Sequence, residues 1–457
     1  MLTKLGLSNF KPWKRIDGMH LAPITGLFGA NSSGKTSILQ MLLMLKQTVE
    51  SPDRAQVLNF GGARTPANLG TFRDVVFGHD EALPLCLELE WNLPDELVIE
   101  DPANHSKQLL SGRELRFESE VRYESGRLKV SRLSYTFAKH KFIMEQAPDP
   151  EAGYQLKTEG RVFSLKKTRG RPRTTLPPPV KCYGFPDEAK ASYRNAGILS
   201  DLQLGIENLF AHVYYLGPLR EYPARQYPWA GAQPADMGQR GEKTIDALLG
   251  ARDRGLWVQS GRKHVLVEKY VVSMLDQLGL VSKLNVEAYA KDSNFYQVLV
   301  KKAEGAPSVG LEGVGFGVSQ VLPALVLCYY VPKGSTIILE QPEIHLHPAV
   351  QAGLADVFID AVQKRNVQII FESHSEHLLH RLRRRTAEEH VDPAQVALYF
   401  CSNQGAESEL TALELDLFGN IVNWPEDFFG DEFGELSAIT RAAMKRQRGE
   451  QDESVRG

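Results

Sequence analysis

Eight residues, Gly29-Ala-Asn-Ser-Ser-Gly34-Lys35-Thr36, constrain this chain more than any others. They fit G-x-x-x-x-G-K-[ST], in which glycines let the backbone curl until successive N–H groups converge on one point. Ile24 to Phe28 before the loop reads as a short strand, and Lys35 to Gln47 after it, rich in Leu, Met and Ile, as a buried helix. That context is the one such a loop needs, because the helix adds its positive N-terminus. Phosphate binding is therefore expected at Gly29, Asn31, Ser32, Ser33, Gly34, Lys35, Thr36 and Ser37. Lys35 would set a point charge between the outer phosphates, and Thr36 would offer its hydroxyl to Mg²⁺.

The rest of the chain divides around that loop. Leu2 to Asn9 reads as a strand, and from Leu83 to Lys167 the pattern alternates, with Leu115, Phe117, Val121 and Tyr123 on one face and charges on the other. Glu124-Ser-Gly-Arg127 supplies a turn, so an antiparallel β insert is expected. A basic, proline-rich loop runs from Lys166 to Pro179, followed by a helix at Leu199 to His212 and a strand at Val213 to Leu216. Strands at Thr336 to Glu340, Val367 to Phe371 and Val396 to Phe400, with helices between them, are the alternation of a parallel sheet. The reading is an α/β phosphate-loop head split by a β-rich and helical insert. Its parts are residues 1–82 (head with the loop), 83–198 (β-rich insert), 199–304 (helical and mixed), 305–405 (second part of the head) and 406–457 (C-terminal domain and tail). No sustained heptad pattern suggests a long coiled-coil arm, and the stretch from Arg441 is polar.

Three later segments carry chemistry. Ser335-Thr-Ile-Ile-Leu-Glu340-Gln341-Pro-Glu343 is an apolar strand ending in acids, the way a phosphate-loop enzyme brings a carboxylate to its metal. Gly313-Val-Gly-Phe-Gly317-Val-Ser319-Gln320 opens an apolar helix with small residues, a second anion-binding helix start. Phe371-Glu-Ser-His374-Ser375 closes a further strand with a histidine able to donate to a terminal phosphate.

In this order the motifs resemble the ATP-binding-cassette superfamily. They resemble in particular its SMC-like branch of prokaryotic ATPases, which includes the ATPase half of the overcoming-lysogenization-defect nucleases. The segments G-V-G-F-G-V-S-Q-V-L-P, L-E-Q-P-E-I-H-L-H-P, Y-L-G-P-L-R-E and N-W-P-E-D-F-F-G look like those of stand-alone ATPases whose C-terminal domain has no assigned function. The resemblance covers residues 1–80 and 305–405. It implies ATP and Mg²⁺ as cofactors, and a homodimer that sandwiches two ATP molecules. Lys35 and Thr36 would act in cis, Gly317, Ser319 and Gln320 in trans, and His374 as a switch histidine. Related ATPases partner nucleases or toxins in bacterial antiphage systems, which implies an effector protein.

The chain departs from the family pattern in three places. Its signature reads Gly317-Val-Ser319-Gln320, so the serine is displaced. The glutamine loop has no counterpart beyond Asn59. Glu340 takes the place of the metal-binding aspartate, and Gln341 that of the glutamate that positions water. An amide orients water without accepting its proton, so Glu343 or the γ-phosphate itself must take it, or hydrolysis is slow. The leading expectation is a slow, switch-like ATPase with Thr36 and Glu340 at the metal and Glu340, Gln341, Glu343 and His374 as catalytic candidates. The alternatives are a DNA-repair ATPase that clamps DNA itself and an ATP-gated scaffold with negligible turnover.

Other features refine the partners. Lys166 to Arg173 contains Arg169-Gly-Arg171-Pro, which looks like the core of a minor-groove hook, and the bland alternative is a solvated loop. The net charge of −3 supplies no global field toward nucleic acid. His345 and His347 beside Glu343 and His374 read as a loop meeting a partner head rather than as zinc ligands. Arg381, Arg383, Arg384 and Arg385 read as a solvated face, and Trp424 to Gly430 as core packing or a docking anchor. The four cysteines form no C-x-x-C pair, and the longest apolar run, Val321 to Val331, falls short of a bilayer span. A cytoplasmic protein without a membrane partner is expected, and without a late acidic cluster, one that does not itself cut nucleic acid.

Overall fold

The computed structural model describes residues 1–101, 104–149, 153–168, 175–425, 439–441 and 443–444. Arg169 and Arg171, the candidate DNA contacts, lie outside the described residues, as do residues 426–430 of the late aromatic segment.

The chain opens with β1 (Leu2–Phe10), β2 (Trp13–His20) and β3 (Ile24–Gly29), and then α1 (Lys35–Glu50). The insert follows as β4 (Leu85–Asp101), β5 (Asn104–Glu124), β6 (Arg127–Phe137), β7 (His140–Gln146) and β8 (Tyr154–Glu159). These strands form one antiparallel sheet in the order β2-β1-β4-β5-β6-β7-β8. Because β4 pairs with β1, the expected division at 82/83 falls inside a single sheet. The β-rich segment continues what the first residues begin.

Alternation works as expected in β5: Leu115, Phe117 and Val121 are buried, while Arg116 points out to Glu88 and Glu118, 2.9 Å from each. Tyr123 is at the edge of that pattern, half out of the core and stacked on Phe72 with ring centroids 5.7 Å apart. The β5–β6 turn has Ser125 and Gly126 at φ 51° and 77°, between the paired residues Glu124 and Arg127. Two successive positive φ values match the twist of a two-residue hairpin.

The second part of the chain contributes α2 (Gly197–Ala211), β9 (Val213–Leu216), α3 (Thr244–Asp253), α4 (Val267–Gln277), β10 (Lys283–Ala288) and β11 (Phe295–Lys301). It continues with α5 (Phe316–Tyr330), β12 (Thr336–Glu340), α6 (Pro348–Arg365), β13 (Gln368–Glu372), α7 (Glu376–Ala387), β14 (Val396–Gln404) and β15 (Glu407–Leu413). A sheet in the order β15-β14-β3-β13-β12-β9 runs through the middle, parallel except for the last hairpin strand β15. Its strands are apolar on both faces, which is why they read as continuous runs. Ile337, Leu339, Ile369 and Phe371 enter one core with α3 to α7, and Ile338 and Ile370 enter the other with α1, α2 and the antiparallel sheet. The phosphate-loop strand β3 is thus central, and the acidic and histidine strands lie beside it in register.

Lys181 locks the far end of α1. It is buried, and its ammonium donates to the carbonyls of Thr48, Val49 and Ser51 at 2.8, 3.0 and 2.7 Å. These include the orphan acceptors of a helix C-terminus, where a cation also meets the negative dipole end. Lys181→Met should lower the unfolding free energy by about 1–3 kcal/mol, read as an earlier urea midpoint. An unmoved midpoint would mean that water replaces the ammonium.

Candidate functional site

The loop after β3 is shaped by two glycines that nothing else could replace. Gly29 has φ 133°, and a Cβ there would stand 2.1 Å from the Cys401 carbonyl oxygen. Gly34, at φ 87°, precedes α1, and a Cβ there would stand 2.9 Å from the Trp13 ring and from Ser408 Oγ. Trp13 Nε1 donates to the Gly34 carbonyl at 3.0 Å and holds the loop from below. No side chain caps the start of α1; Ser37 N–H turns back to the Gly34 carbonyl at 3.0 Å, which leaves the N–H groups of Lys35 and Thr36 for an anion. Asn31 and Ser32 are exposed on the rim, Ser37 is buried in the first turn, and Ser33 Oγ is buried without a hydrogen-bond partner among the described residues.

Lys35 is folded onto its own loop, donating to the carbonyls of Gly29 at 3.0 Å and Ala30 at 2.7 Å. Burial holds its pKa below the ordinary lysine value, against the pull of Glu372, Cys401 and Glu343. Thr36 Oγ1 donates to Glu372 Oε2 at 2.7 Å.

Parallel register sets Glu340 and Glu372 side by side at the ends of β12 and β13. Glu340 Oε1 accepts from the Tyr215 hydroxyl at 3.0 Å. Burial, then the neighbouring Glu372 charge, pushes Glu340 up to about 7. Burial likewise raises Glu372, although Thr36 and Lys35 oppose it. Three residues past Glu340, Glu343 is also raised by burial. Its Oε1 accepts from the His374 backbone N–H at 2.7 Å, while Oε2 has no hydrogen-bond partner among the described residues.

Gln341 between them has φ 42°, a left-handed conformation unusual for a residue with a Cβ. Its N–H donates to the Glu372 carbonyl at 3.1 Å. That backbone bond ties the end of β12 to β13. His374 sits exposed at the mouth of the site, and partial desolvation, then the Lys35 charge, lowers its pKa and favours the neutral ring.

A cluster of buried carboxylates, a hydroxyl among them and the N–H groups of the loop form a donor set that fits a triphosphate with a hard divalent cation. The sequence-derived Gly29 to Ser37, Glu340, Gln341, Glu343 and His374 converge here. Gly317, Ser319 and Gln320 lie elsewhere, in the first turn of α5, where Ser319 and Gln320 are buried and Gly313 and Gly315 are the exposed members. Asn59 is spent locally, its Nδ2 donating to the Gln47 carbonyl at 3.1 Å.

Three site residues escaped the sequence reading. Glu372 stood in the quoted F-E-S-H-S segment, and its meeting with Thr36 follows once β13 is placed beside β3. Tyr215 and Arg220 stood in Y-L-G-P-L-R-E, where nothing local distinguishes them.

Other expectations resolve around the site. His347 Nδ1 accepts from the Ala349 N–H at 3.3 Å and caps α6, with Pro348 at the first helical position. No group of three or more His, Cys, Asp or Glu suited to a metal occurs among the described residues. The arginine run is only partly a solvated face. Arg381 and Arg385 bind Asp356 of α6 at 2.5 and 2.6 Å, and Arg383 lies over the Trp424 ring at 5.0 Å. Trp424 thereby fastens the late segment to α7.

Residues 260–380 match the family model described as "AAA domain, putative AbiEii toxin, Type IV TA system". The segment is similar to that family's domain over about a quarter of the chain. The match spans the glycine-rich start of α5, the acidic strand and the histidine strand. It is followed by a match of residues 391–439 to "Protein of unknown function (DUF3696)". The phosphate loop lies outside the matched residues and is joined to them through β3, which pairs with β13.

Among solved structures, an Smc head bound to the C-terminal winged-helix domain of ScpA is similar at 11% identity and TM-score 0.45. The match covers 91% of this chain and 98% of that one. The SMC head domain from Thermotoga maritima is similar at 13% identity and TM-score 0.41, over 90% and 99%. An Smc head from Pyrococcus furiosus with an extended coiled coil, bound to the C-terminal domain of ScpA, is similar at 11% and 0.43, over 91% and 96%. No curated protein matches the chain. Among the described residues, no helix is long and apolar enough to cross a membrane.

Proposed function

We propose that this chain is a cytoplasmic ATPase of slow turnover that pairs with a second copy around two ATP molecules and passes that state to an effector protein, a nuclease or toxin, in defence against phage. The observation that carries the reading is the hydrogen bond from Thr36 to Glu372 beside Glu340, which joins the phosphate loop to the acidic strand ends in one buried site. Thr36 and Glu340 would hold Mg²⁺, which when bound neutralises phosphate charge. The loop N–H groups and Lys35 bind and orient the phosphates, and neutral His374 donates toward the outermost one. Glu343, with a buried carboxylate oxygen left over, takes the proton of the attacking water. Gln341 offers an amide that takes no proton, which supports slow turnover.

The glycine-rich start of α5, exposed at Gly313 and Gly315, supports a dimer in which Gly317, Ser319 and Gln320 face the nucleotide of the second copy. The toxin–antitoxin term in the AAA family's description supports an effector. The test is solution mass with and without ATP and Mg²⁺, for wild type and Lys35→Ala. Doubling in ATP only for wild type is expected, and a mass indifferent to ATP in both proteins would remove the sandwich. Steady-state turnover at the rate of ordinary transport cassettes, unchanged in Gln341→Ala, would remove the slow switch.

A further inference from the structure

Arg220 is a charged group with nothing to hold. Its side chain is 5% exposed, and Nε, Nη1 and Nη2 all lack hydrogen-bond partners among the described residues. A guanidinium carries five donors in a fixed fork, and buried charges are ordinarily paired.

The loop that carries it is fixed on both sides. Gly217 N–H donates to the Gln239 carbonyl at 2.8 Å, and Glu221 N–H to the Arg240 carbonyl at 2.9 Å. This loop leaves β9, which pairs with β12, so Arg220 lies at the sheet edge where the acids are. The charged and polar groups acting on it are Tyr215, Glu340 and Glu343. Glu343 also acts on Lys35, yet it accepts its hydrogen bond from the His374 backbone N–H. Two cations therefore flank one acid in one site: Lys35 turned back on its own loop, and Arg220 without any partner.

We infer that Arg220 binds the terminal phosphate of a nucleoside triphosphate seated on this chain's own phosphate loop, across from Lys35, and makes the site prefer triphosphate to diphosphate. The inference rests on the ATP reading above. A planar fork fits two oxygens of one phosphoryl group, and only the outermost phosphate is missing from ADP. Burial lowers the arginine to about 10, which still leaves it charged at neutral pH.

The test is calorimetric titration of wild type, Arg220→Met and Arg220→Lys with ATPγS and with ADP, in Mg²⁺, alongside melting of the nucleotide-free proteins. Wild type should prefer ATPγS by about tenfold or more, and Arg220→Met should lose that preference while its ADP affinity changes by less than about threefold. Arg220→Lys should fall between them, because it keeps the charge without the fork. The nucleotide-free Arg220→Met protein should melt no lower than wild type, since an unpaired buried charge has gone. A lower melting point with equal loss of both nucleotides would make Arg220 structural and overturn the inference. So would an Arg220→Met protein that keeps the full preference. A wild type that binds neither nucleotide would overturn the ATP reading and this inference together.

Discussion

Glu343→Gln protein is expected to bind ATP as wild type does and to hydrolyse it about 10²- to 10⁴-fold more slowly. Of the acids at the site, Glu343 has an oxygen to spare. Oε1 is occupied by the His374 N–H, whereas Oε2 is buried and unbonded among the described residues. Burial raises its pKa toward the working range of a general base. Gln341 cannot serve, because an amide takes no proton. The amide isostere keeps an acceptor for His374, so the fold and the binding step should survive. Single-turnover hydrolysis with a parallel measurement of ATP affinity checks this. Equal rates in the two proteins would hand the proton to the γ-phosphate.

Glu340→Gln is expected to give a more stable, less competent protein. The Glu340 carboxyl titrates at about 7 in the fold against 4.5 when exposed. Below pH 4.5 both folded and unfolded chains hold its proton, and the residue contributes no pH-dependent difference. Between 4.5 and 7 the unfolded chain gives up the proton first, so wild-type stability falls as pH rises. Above 7 the whole deficit remains, about 3 kcal/mol from the size of the shift. The amide escapes that penalty. Glu340→Gln should therefore denature at higher urea than wild type at pH 8, with the gap closing near pH 5. It should also lose most of the Mg²⁺ dependence of ATP binding. A stability gap of the same size at both pH values would place its cause in packing rather than in charge.

The phosphate loop, its flanking strand and helix, the acidic strand and the histidine strand were legible because their signals are local: glycine spacing, apolar runs and a terminal charge. The turn at Ser125-Gly126 was legible for the same reason. The partnership of Thr36 with Glu372 was not, since it depends on β13 lying against β3, and strand order is no property of either strand alone. Arg220 was hidden differently. One arginine in a glycine-proline loop looks solvated until β9 is placed at the sheet edge next to Glu340. The continuity of β1 with β4 also escaped, because alternation announces a strand without naming its neighbour.

The central position of β3 also governs how the protein can be made. Thr36 and Glu372 are 336 residues apart, and both neighbours of β3, β13 and β14, come from the last third of the chain. At roughly 5–20 residues per second, translation delivers them roughly 20–70 seconds after the phosphate loop has left the ribosome. Through that interval the nascent chain carries an apolar strand with two open edges, a template for pairing with other chains. Fragments ending before Gln368 should aggregate rather than bind nucleotide, and the site comes into being only near the end of synthesis.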